Sequence, residues 1–388
     1  MRILTVLTYY RPHTSGLTIY SERLAKAWAR RGHQVTVFTS QFDKTTALDE
    51  TVEGVHIIRS PVWLRISKGV IMPKFGWQVT SLVRNHDVVH LHLPQFDAPG
   101  VALRGRLTRK PVVLTYHCDL NMPPGVLNRF ANRVIHFMNG LAGRLTDHIV
   151  TYTQDYADHS PYLAQFKDKL TPILPPVELP PPEPGAIEAF ARQNETHQRR
   201  PVIGMAARFA AEKGVEVLLD AMPAVLQAYP NAQVLFAGPY VEVIGEREYA
   251  ARLMPRIQAY QASGHWKFLG TLTPVEMAAY YPNLDVLVVP SLNSTEAFGL
   301  VQIEAMIDGI PSVASALPGV RQPVLTTGMG EIIPIGDSGA LACALLAILA
   351  DPGNYRRDPG EIARPYKPDS VAQEYEALFE RLLAEKKR

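Results

Sequence analysis

The chain has 388 residues, 47% hydrophobic and 20% charged, which at roughly 150 residues per domain suggests two domains with buried cores and argues against dominant disorder. Its formal net charge of +2 argues against a dedicated nucleic-acid binder. That total hides a split, because residues 1–170 hold 21 Lys+Arg and 12 Asp+Glu, a net of +9, whereas residues 171–388 hold 18 and 25, a net of −7, so the two halves are expected to meet different partners.

The apolar run Met1–Leu7 is too short for the apolar core of a signal peptide, and no stretch of 18 apolar residues follows anywhere, so a cytoplasmic chain without a membrane span is expected. Short β-branched runs then predict strands at Ile3–Leu7, Val35–Thr39, Val55–Arg59, Asp87–His92, Val112–Tyr116 and His148–Tyr152. Most are continuous apolar runs, as strands buried on both faces require. Between the first two, Tyr20, Leu24, Ala27 and Trp28 recur at helical spacing within Thr18–Arg31, and Gly32 suits the C-cap. This βαβ unit implies a parallel sheet with right-handed crossovers. Cys118 and Cys343 are the only cysteines, too few for a disulfide framework or a four-cysteine zinc site.

Residues 172–184 carry seven prolines in thirteen positions and read as a semi-rigid spacer between residues 1–171 and a second α/β domain, 185–367. The βα alternation restarts with strands at Val202–Ala206, Gln233–Ala237, Trp266–Leu269, Asp285–Val289, Ser312–Ala314 and Glu331–Pro334, and with helices at Val215–Ala228 and Leu300–Asp308. The tail 368–388 places Val371, Tyr375, Leu378, Phe379 and Leu382 on one helical face, which must be covered, and the first domain is the expected cover.

Two doubly wound domains should bind ligands at the carboxyl ends of their strands. Neither G-x-G-x-x-G nor G-x-x-x-x-G-K-[ST] follows a predicted strand, which removes dinucleotide oxidoreductases and P-loop NTPases. The most informative segment runs from Pro290 to Val320. There a buried strand ends, Glu296 lies in a polar loop, a helix begins near Gly299, and Glu304 follows one turn inside it. The free amides of a helix start suit an anion, and carboxylates on either side suit hydroxyls, which together describe a nucleotide sugar. The competing reading makes Glu296 a helix cap and Glu304 a solvated side chain. Arg208 and Lys213 follow the first strand of the second domain and form either a local anion site or two solvated loop cations. His90 and His92 share one strand face and could be metal ligands or ordinary strand-end polar groups.

Together these segments resemble the retaining, nucleotide-sugar-dependent glycosyltransferases of family four (glycosyl transferases group 1). That family carries an E-x7-E pattern, matched by Glu296 and Glu304 within E-x-F-G-L-x-x-x-E-A-M-x-x-G-x-P, and a G-R-x-x-x-x-K-G element, matched at Arg208, Lys213 and Gly214. Gly16, Arg31–Val37, Asp87–His92 and Thr115–Asp119 fit its front half. The resemblance implies a GT-B fold, two Rossmann-like domains facing across a cleft, with the tail helix rejoining the first. It implies that Glu304 binds the ribose hydroxyls and Glu296 the donor sugar, with the amides of Phe298, Gly299 and Leu300 near sugar and phosphate. Arg208 and Lys213 would neutralise the leaving diphosphate, Gly16 would let its loop approach donor and acceptor, and His117 would sit beside the donor sugar. No metal cofactor is implied, and no D-x-D cluster appears. Front-face transfer is the usual proposal for the family. A nucleotide-sugar-binding protein without transfer, or a related epimerase, is the competing function.

The acceptor is expected to be lipid-linked, a glycolipid or another glycan. Val62–Trp77 mixes aromatics with Arg65, Lys68 and Lys74; Arg104, Arg106, Arg109 and Lys110 form a second cationic group, and Arg129, Arg133 and Arg144 a third. Such surfaces either attract anionic lipid headgroups or are simply solvated.

Overall fold

A computed structural model describes residues 1–66, 69–120 and 126–387, the side chains of residue 66 and of residues 126–131 excepted. Lys68, the side chain of Arg129 and the final residue of the tail, Arg388, therefore lie outside the described residues. The chain divides into two compact units, Met1–Val177 with Pro365–Arg388, and Glu178–Arg364.

In the first unit the elements are β1 (Arg2–Val6), α1 (Gly16–Arg30), β2 (Gln34–Ser40), β3 (Asp49–Val52), β4 (Val55–Ser60), β5 (Leu64–Ile66), β6 (Gly69–Ile71), α2 (Phe75–Asn85), β7 (Val88–Leu93), α3 (Ala98–Leu107), β8 (Val112–Tyr116), α4 (Val126–Leu145), β9 (His148–Thr151), α5 (Gln154–His159) and β10 (Leu170–Pro172). Eight strands form one sheet in the order β10-β9-β8-β7-β1-β2-β4-β3, all parallel except β3 against β4, while β5 and β6 pair separately. The chain steps from β1 outward to β2 on one side and later to β7 on the other. The switch point of this sheet is therefore the gap between the carboxyl ends of β1 and β7.

Helix α1 starts two residues earlier than its apolar spacing predicts. The Ser15 hydroxyl accepts from the Thr18 amide at 3.3 Å and the Thr18 hydroxyl from the Ser15 amide at 2.7 Å, a reciprocal cap that no apolar periodicity reports. The strands that apolar runs do not predict are polar or at an edge. β3 is Asp-Glu-Thr-Val on the sheet border, and β10 ends on Pro172, which an edge position tolerates because its missing N–H faces outward.

The second unit contains α6 (Ala186–Gln193), β11 (Val202–Ala206), α7 (Val215–Ala228), β12 (Gln233–Ala237), α8 (Arg247–Ala262), β13 (Trp266–Gly270), α9 (Pro274–Tyr280), β14 (Val286–Val289), α10 (Leu300–Ile307), β15 (Ser312–Ser315), α11 (Gln322–Thr327), β16 (Gly330–Ile333), α12 (Ser338–Ala350) and α13 (Pro359–Ala363). Its sheet is wholly parallel, in the order β13-β12-β11-β14-β15-β16. Val215, Leu218, Leu219 and Met222 of α7 share one buried core with Ile203, Met205, Phe236 and Val288 of the sheet. Each such side chain contributes about 1.5–3 kcal/mol of burial. Here the switch point lies between β11 and β14.

The last helix, α14 (Pro368–Lys387), belongs to the first unit. Its face of Val371, Tyr375, Phe379 and Leu382 is buried. The Trp28 ring of α1 meets the rings of Tyr375 and Phe379 at 5.7 and 5.4 Å, and its indole N–H reaches the Ala372 carbonyl at 3.4 Å. Arg31 grips Glu376 through two bonds of 2.6 and 2.8 Å. Among the described residues no helix is long and apolar enough to cross a membrane.

Candidate active site

The loops that leave β11 and β14 carry the motif residues of the second unit, and they are fastened to each other. The Leu292 amide donates to the Glu212 carbonyl at 2.9 Å. Gly214 has φ +67°, and a Cβ there would lie 2.1 Å from the Pro290 carbonyl oxygen. Only glycine meets both demands.

This fastening brings Lys213 to Glu296, with Nζ 2.6 Å from Oε2 and the side chains 18% and 21% exposed. The other carboxylate oxygen of Glu296 accepts from the Gly299 amide at 3.0 Å. Glu296 thus holds the glycine that leads into α10 and serves as an ion-pair partner at once. Gly299, with φ +78°, lets the loop turn into α10, whose first-turn amides face the carboxyl edge of the sheet. Phe298 is buried and Leu300 half-buried, and the Phe298 carbonyl is held by buried Gln302, whose amide nitrogen also reaches the Val320 carbonyl at 2.9 Å.

Arg208 is paired with Glu212 four residues on. Each of the two expected anion-binding cations therefore arrives with a carboxylate, and Arg208, Lys213, Glu212 and Glu296 sum to zero charge.

Glu304 is 6% exposed, so it is not a solvated face residue, and it accepts from the Tyr281 hydroxyl at 2.7 Å. One turn later Asp308 sits at the helix end. Its residue is exposed overall, but its carboxyl is sheltered, and burial followed by repulsion from Glu304 pushes it up to about 6.

In the first unit, Gly16 and His117 lie at the same sheet edge, after β1 and β8. No neighbour within 4 Å would meet a Cβ at Gly16, and its φ lies outside the left-handed region. Nothing in the unit's own packing requires glycine there. His117 is buried within a polar chain. Its Nε2 lies 2.8 Å from His92 Nδ1, its Nδ1 is hydrogen-bonded to the Tyr152 hydroxyl, and His92 Nε2 lies 3.3 Å from the Ser21 hydroxyl. Both ring nitrogens of His117 are thus taken by protein groups. Beside it, His90 Nε2 meets the Thr115 hydroxyl at 2.7 Å, and Thr115 meets Tyr375 of α14 at 2.6 Å. Burial holds His90 and His117 down at about 3 and His92 well below its usual range, so all three rings are neutral near pH 7. Among the described residues no group of three or more His, Cys, Asp or Glu could hold a metal ion.

Sequence reasoning singled out neither Tyr281, Gln302, Glu212, His92 nor Tyr152 as a partner of these residues. Two carry a local signal, Glu212 four residues from Arg208 and Gln302 four residues from Phe298. Tyr281, His92 and Tyr152 meet their partners across elements distant in the chain.

Comparison with known proteins matches a family profile described as "Glycosyl transferases group 1" to residues 186–365, and one described as "Glycosyltransferase Family 4" to residues 14–179. Similar curated proteins include a phosphatidyl-myo-inositol mannosyltransferase of Mycobacterium leprae, 28% identical over 398 residues and spanning 98% of this chain and 96% of the relative. A glycogen synthase of Mycobacterium tuberculosis is 27% identical, spanning 92% and 88%. Among solved structures, HepE of Anabaena in complex with UDP superposes with a TM-score of 0.75 at 19% identity, over 98% of this chain and all of that one. The sucrose-phosphate synthase of Thermosynechococcus elongatus gives 0.76 at 23% identity, over 99% of each chain.

Proposed function

Since the chain belongs to the family 4, group 1 glycosyltransferases and has their GT-B fold, we propose that it moves a hexosyl group, with retention of configuration, from a nucleotide diphosphate sugar to a lipid-linked, glycolipid or other glycan acceptor. The observation that carries this reading is the Lys213–Glu296 contact at the switch point of the second sheet, with Arg208 on the same loop and buried Glu304 one turn into α10.

In the reaction the bond between the anomeric carbon and the diphosphate breaks, and its electron pair stays with the diphosphate. A bond from an acceptor hydroxyl forms on the same face, and the hydroxyl proton passes to the departing diphosphate oxygen. Charge therefore develops on the leaving group, where Arg208 and Lys213 act as preorganised cations. Glu304, fixed by Tyr281, accepts from the ribose hydroxyls, and Glu296 accepts from the donor sugar. Phe298, Gly299 and Leu300 present the backbone of the loop and helix start. His117, neutral and bonded at both nitrogens, holds a fixed ring in place and moves no proton.

The first unit supplies the acceptor side and a peripheral contact with anionic membrane. Trp63 and Trp77 are 76% and 78% exposed, and Leu107 and Phe137 are also open, on a unit that carries Arg65, Lys74, Arg104 and Arg109. Large exposed aromatics among cations fit an interfacial surface. Sedimentation with anionic liposomes at low salt tests this part, and no binding would remove it.

The transferase reading is tested by nucleotide release from a panel of UDP- and GDP-sugars. Turnover of one donor, lost on Lys213→Ala and on Glu304→Gln, is expected. Binding of a donor with no nucleotide release under any acceptor would leave a binding protein in place of the enzyme.

A further inference from the structure

Gln302 falls on one of the unspecified positions between Leu300 and Glu304, yet the turn into α10 rests on it. Its side chain is fully buried, and its amide group reaches three elements. Nε2 donates to the Phe298 carbonyl at 3.1 Å and to the Val320 carbonyl, beyond β15, at 2.9 Å. Oε1 accepts from the Ser312 hydroxyl of β15 at 3.2 Å. The two carbonyls decide which end of the amide carries the nitrogen. Phe298, Ser312 and Val320 are buried as well, so this position asks for two donors and an acceptor in one planar group, which glutamine supplies. Methionine, of the same length, would take both donors away from buried carbonyls, and glutamate would turn oxygen toward them.

The Phe298 carbonyl and the Gly299 N–H belong to one peptide group. Gln302 holds its carbonyl end, and Glu296 Oε1 accepts from its N–H end at 3.0 Å. The other oxygen of Glu296 meets Lys213 Nζ at 2.6 Å. A line of bonds thus runs from β15 and the Val320 loop, through Gln302 and one peptide plane, to the carboxylate and ammonium of the candidate site.

That peptide adjoins a residue that does little to restrain it. Gly299, at φ +78°, has no Cβ to limit rotation of the peptides on either side. The Gln302 backbone N–H, which a helix begun one residue earlier would give to the Phe298 carbonyl, goes to the Gly299 carbonyl at 2.9 Å. The side-chain amide takes its place. A Cβ at Gly299 would lie 2.8 Å from Gln302 Nε2, so the amide packs directly against the turn.

We propose that Gln302 is a positioning residue for Glu296: it fixes the Phe298–Gly299 peptide, whose N–H in turn fixes the carboxylate that meets Lys213. The consequence for turnover rests on the transferase reading, while the effect on the turn is independent of it.

The test compares the full-length wild type with Gln302→Met, Glu296→Ala and the double variant, by amide hydrogen exchange and by nucleotide release from the UDP- and GDP-sugar panel. In Gln302→Met the Gly299 amide should exchange about tenfold faster or more, with the amides of β11 and α7 changed less. Its kcat/KM should fall about tenfold, whereas the same substitution on the Glu296→Ala background should cost less than about twofold, because the group it acts through is gone. Leu345→Ala, in the α12 core, controls for general loosening and should keep turnover within about twofold below its Tm. Gln302→Glu keeps the shape and regains a donor on protonation, so its turnover relative to the wild type should recover as pH falls. It reads the same line of bonds if Gln302→Met does not fold. Unchanged Gly299 exchange in a folded Gln302→Met, a turnover loss undiminished on the Glu296→Ala background, or an equal loss in Leu345→Ala would each overturn the proposal. A wild type that releases nucleotide from no donor, with Gly299 still loosened by Gln302→Met, would sink the transferase reading and leave the positioning of the turn standing.

Discussion

Lys213→Ala separates the chemistry of the site from its architecture. The Lys213–Glu296 pair has a 2.6 Å contact and side chains about one-fifth exposed, so it falls between surface pairs and buried ones. Surface pairs contribute about 0–1 kcal/mol and broken buried pairs cost about 3–5 kcal/mol, which places this loss at about 1–2 kcal/mol. For a unit spanning Glu178–Arg364, each kcal/mol shifts Tm by about 2–4 °C, so a fall of several degrees is expected. Removing a preorganised cation from the leaving diphosphate should lower kcat by about 10²–10³. The assay is nucleotide release at saturating donor, run well below the variant's Tm. Glu296→Gln keeps an acceptor for the Gly299 amide and removes the charge. In a double-mutant cycle the stability terms of the two substitutions should therefore overlap, while the kcat loss of Lys213→Ala should persist in the double variant. If Lys213→Ala melts several degrees early and still turns over within about twofold of the wild type, the lysine is only a partner for Glu296 and the diphosphate role is wrong.

Gly16→Ala should stabilise the chain by about 0.4–1 kcal/mol, because its Cβ meets nothing and α1 already begins there, yet it should lower turnover if donor or acceptor approaches that backbone. Unchanged kinetics would leave Gly16 without a role. Asp308, raised to about 6, takes up a proton in the folded state at a pH where the unfolded chain is ionised. Its contribution to stability therefore falls as pH rises from about 4 to about 6. Asp308→Asn should flatten that slope, and Glu304→Gln should move the Asp308 carboxyl resonance back toward its ordinary midpoint by NMR titration. His90, His92 and His117 have the opposite sign. Held neutral in the folded state, they cost stability as pH falls below about 6.5, at about 1.4 kcal/mol per pH unit for each. Three together should bring acid unfolding of the first unit at roughly pH 3–5 for a typical stability of 5–15 kcal/mol. Chemical denaturation at stepped pH measures the slope, and a flat curve from pH 6.5 to 5 would mean that these rings are charged in the fold.

The parallel sheets were legible because strands buried on both faces are mostly apolar, as Val112–Leu114 and Val286–Val289 are. Val215–Ala228 was legible end to end for a related reason, since Gly214 fixes its start by geometry. What composition hides is pairing at long range. Glu304 looked undecided because its neighbours are apolar, and the Tyr281 hydroxyl, 23 residues earlier, donates to this buried carboxylate. In the sequence His117 is placed only by its motif, with nothing to show its partners. The parallel register of β7 with β8 sets His92 opposite Thr115 and so beside His117, and α1 and β9 bring Ser21 and Tyr152.

If the proposed reaction holds, the zero charge sum of Arg208, Lys213, Glu212 and Glu296 constrains how a diphosphate would be received. An anion entering this loop pair must compete with the carboxylates for the same N–H groups. Of the two, Glu296 is the one whose release is useful. When Lys213 turns to phosphate, Oε2 of Glu296 loses its partner, and a sugar hydroxyl can donate to it while Oε1 stays on the Gly299 amide. Binding of the diphosphate and recognition of the sugar are then two halves of one exchange. In Glu296→Gln the competition for Lys213 weakens, so the bare nucleoside diphosphate should bind several-fold tighter. The intact nucleotide sugar should gain less or lose affinity, since the hydroxyl acceptor is weaker. Calorimetric titration of both ligands reads the difference directly. A nucleoside diphosphate that binds more weakly to Glu296→Gln than to the wild type would show that Glu296 orders Lys213 for the phosphate and does not compete for it.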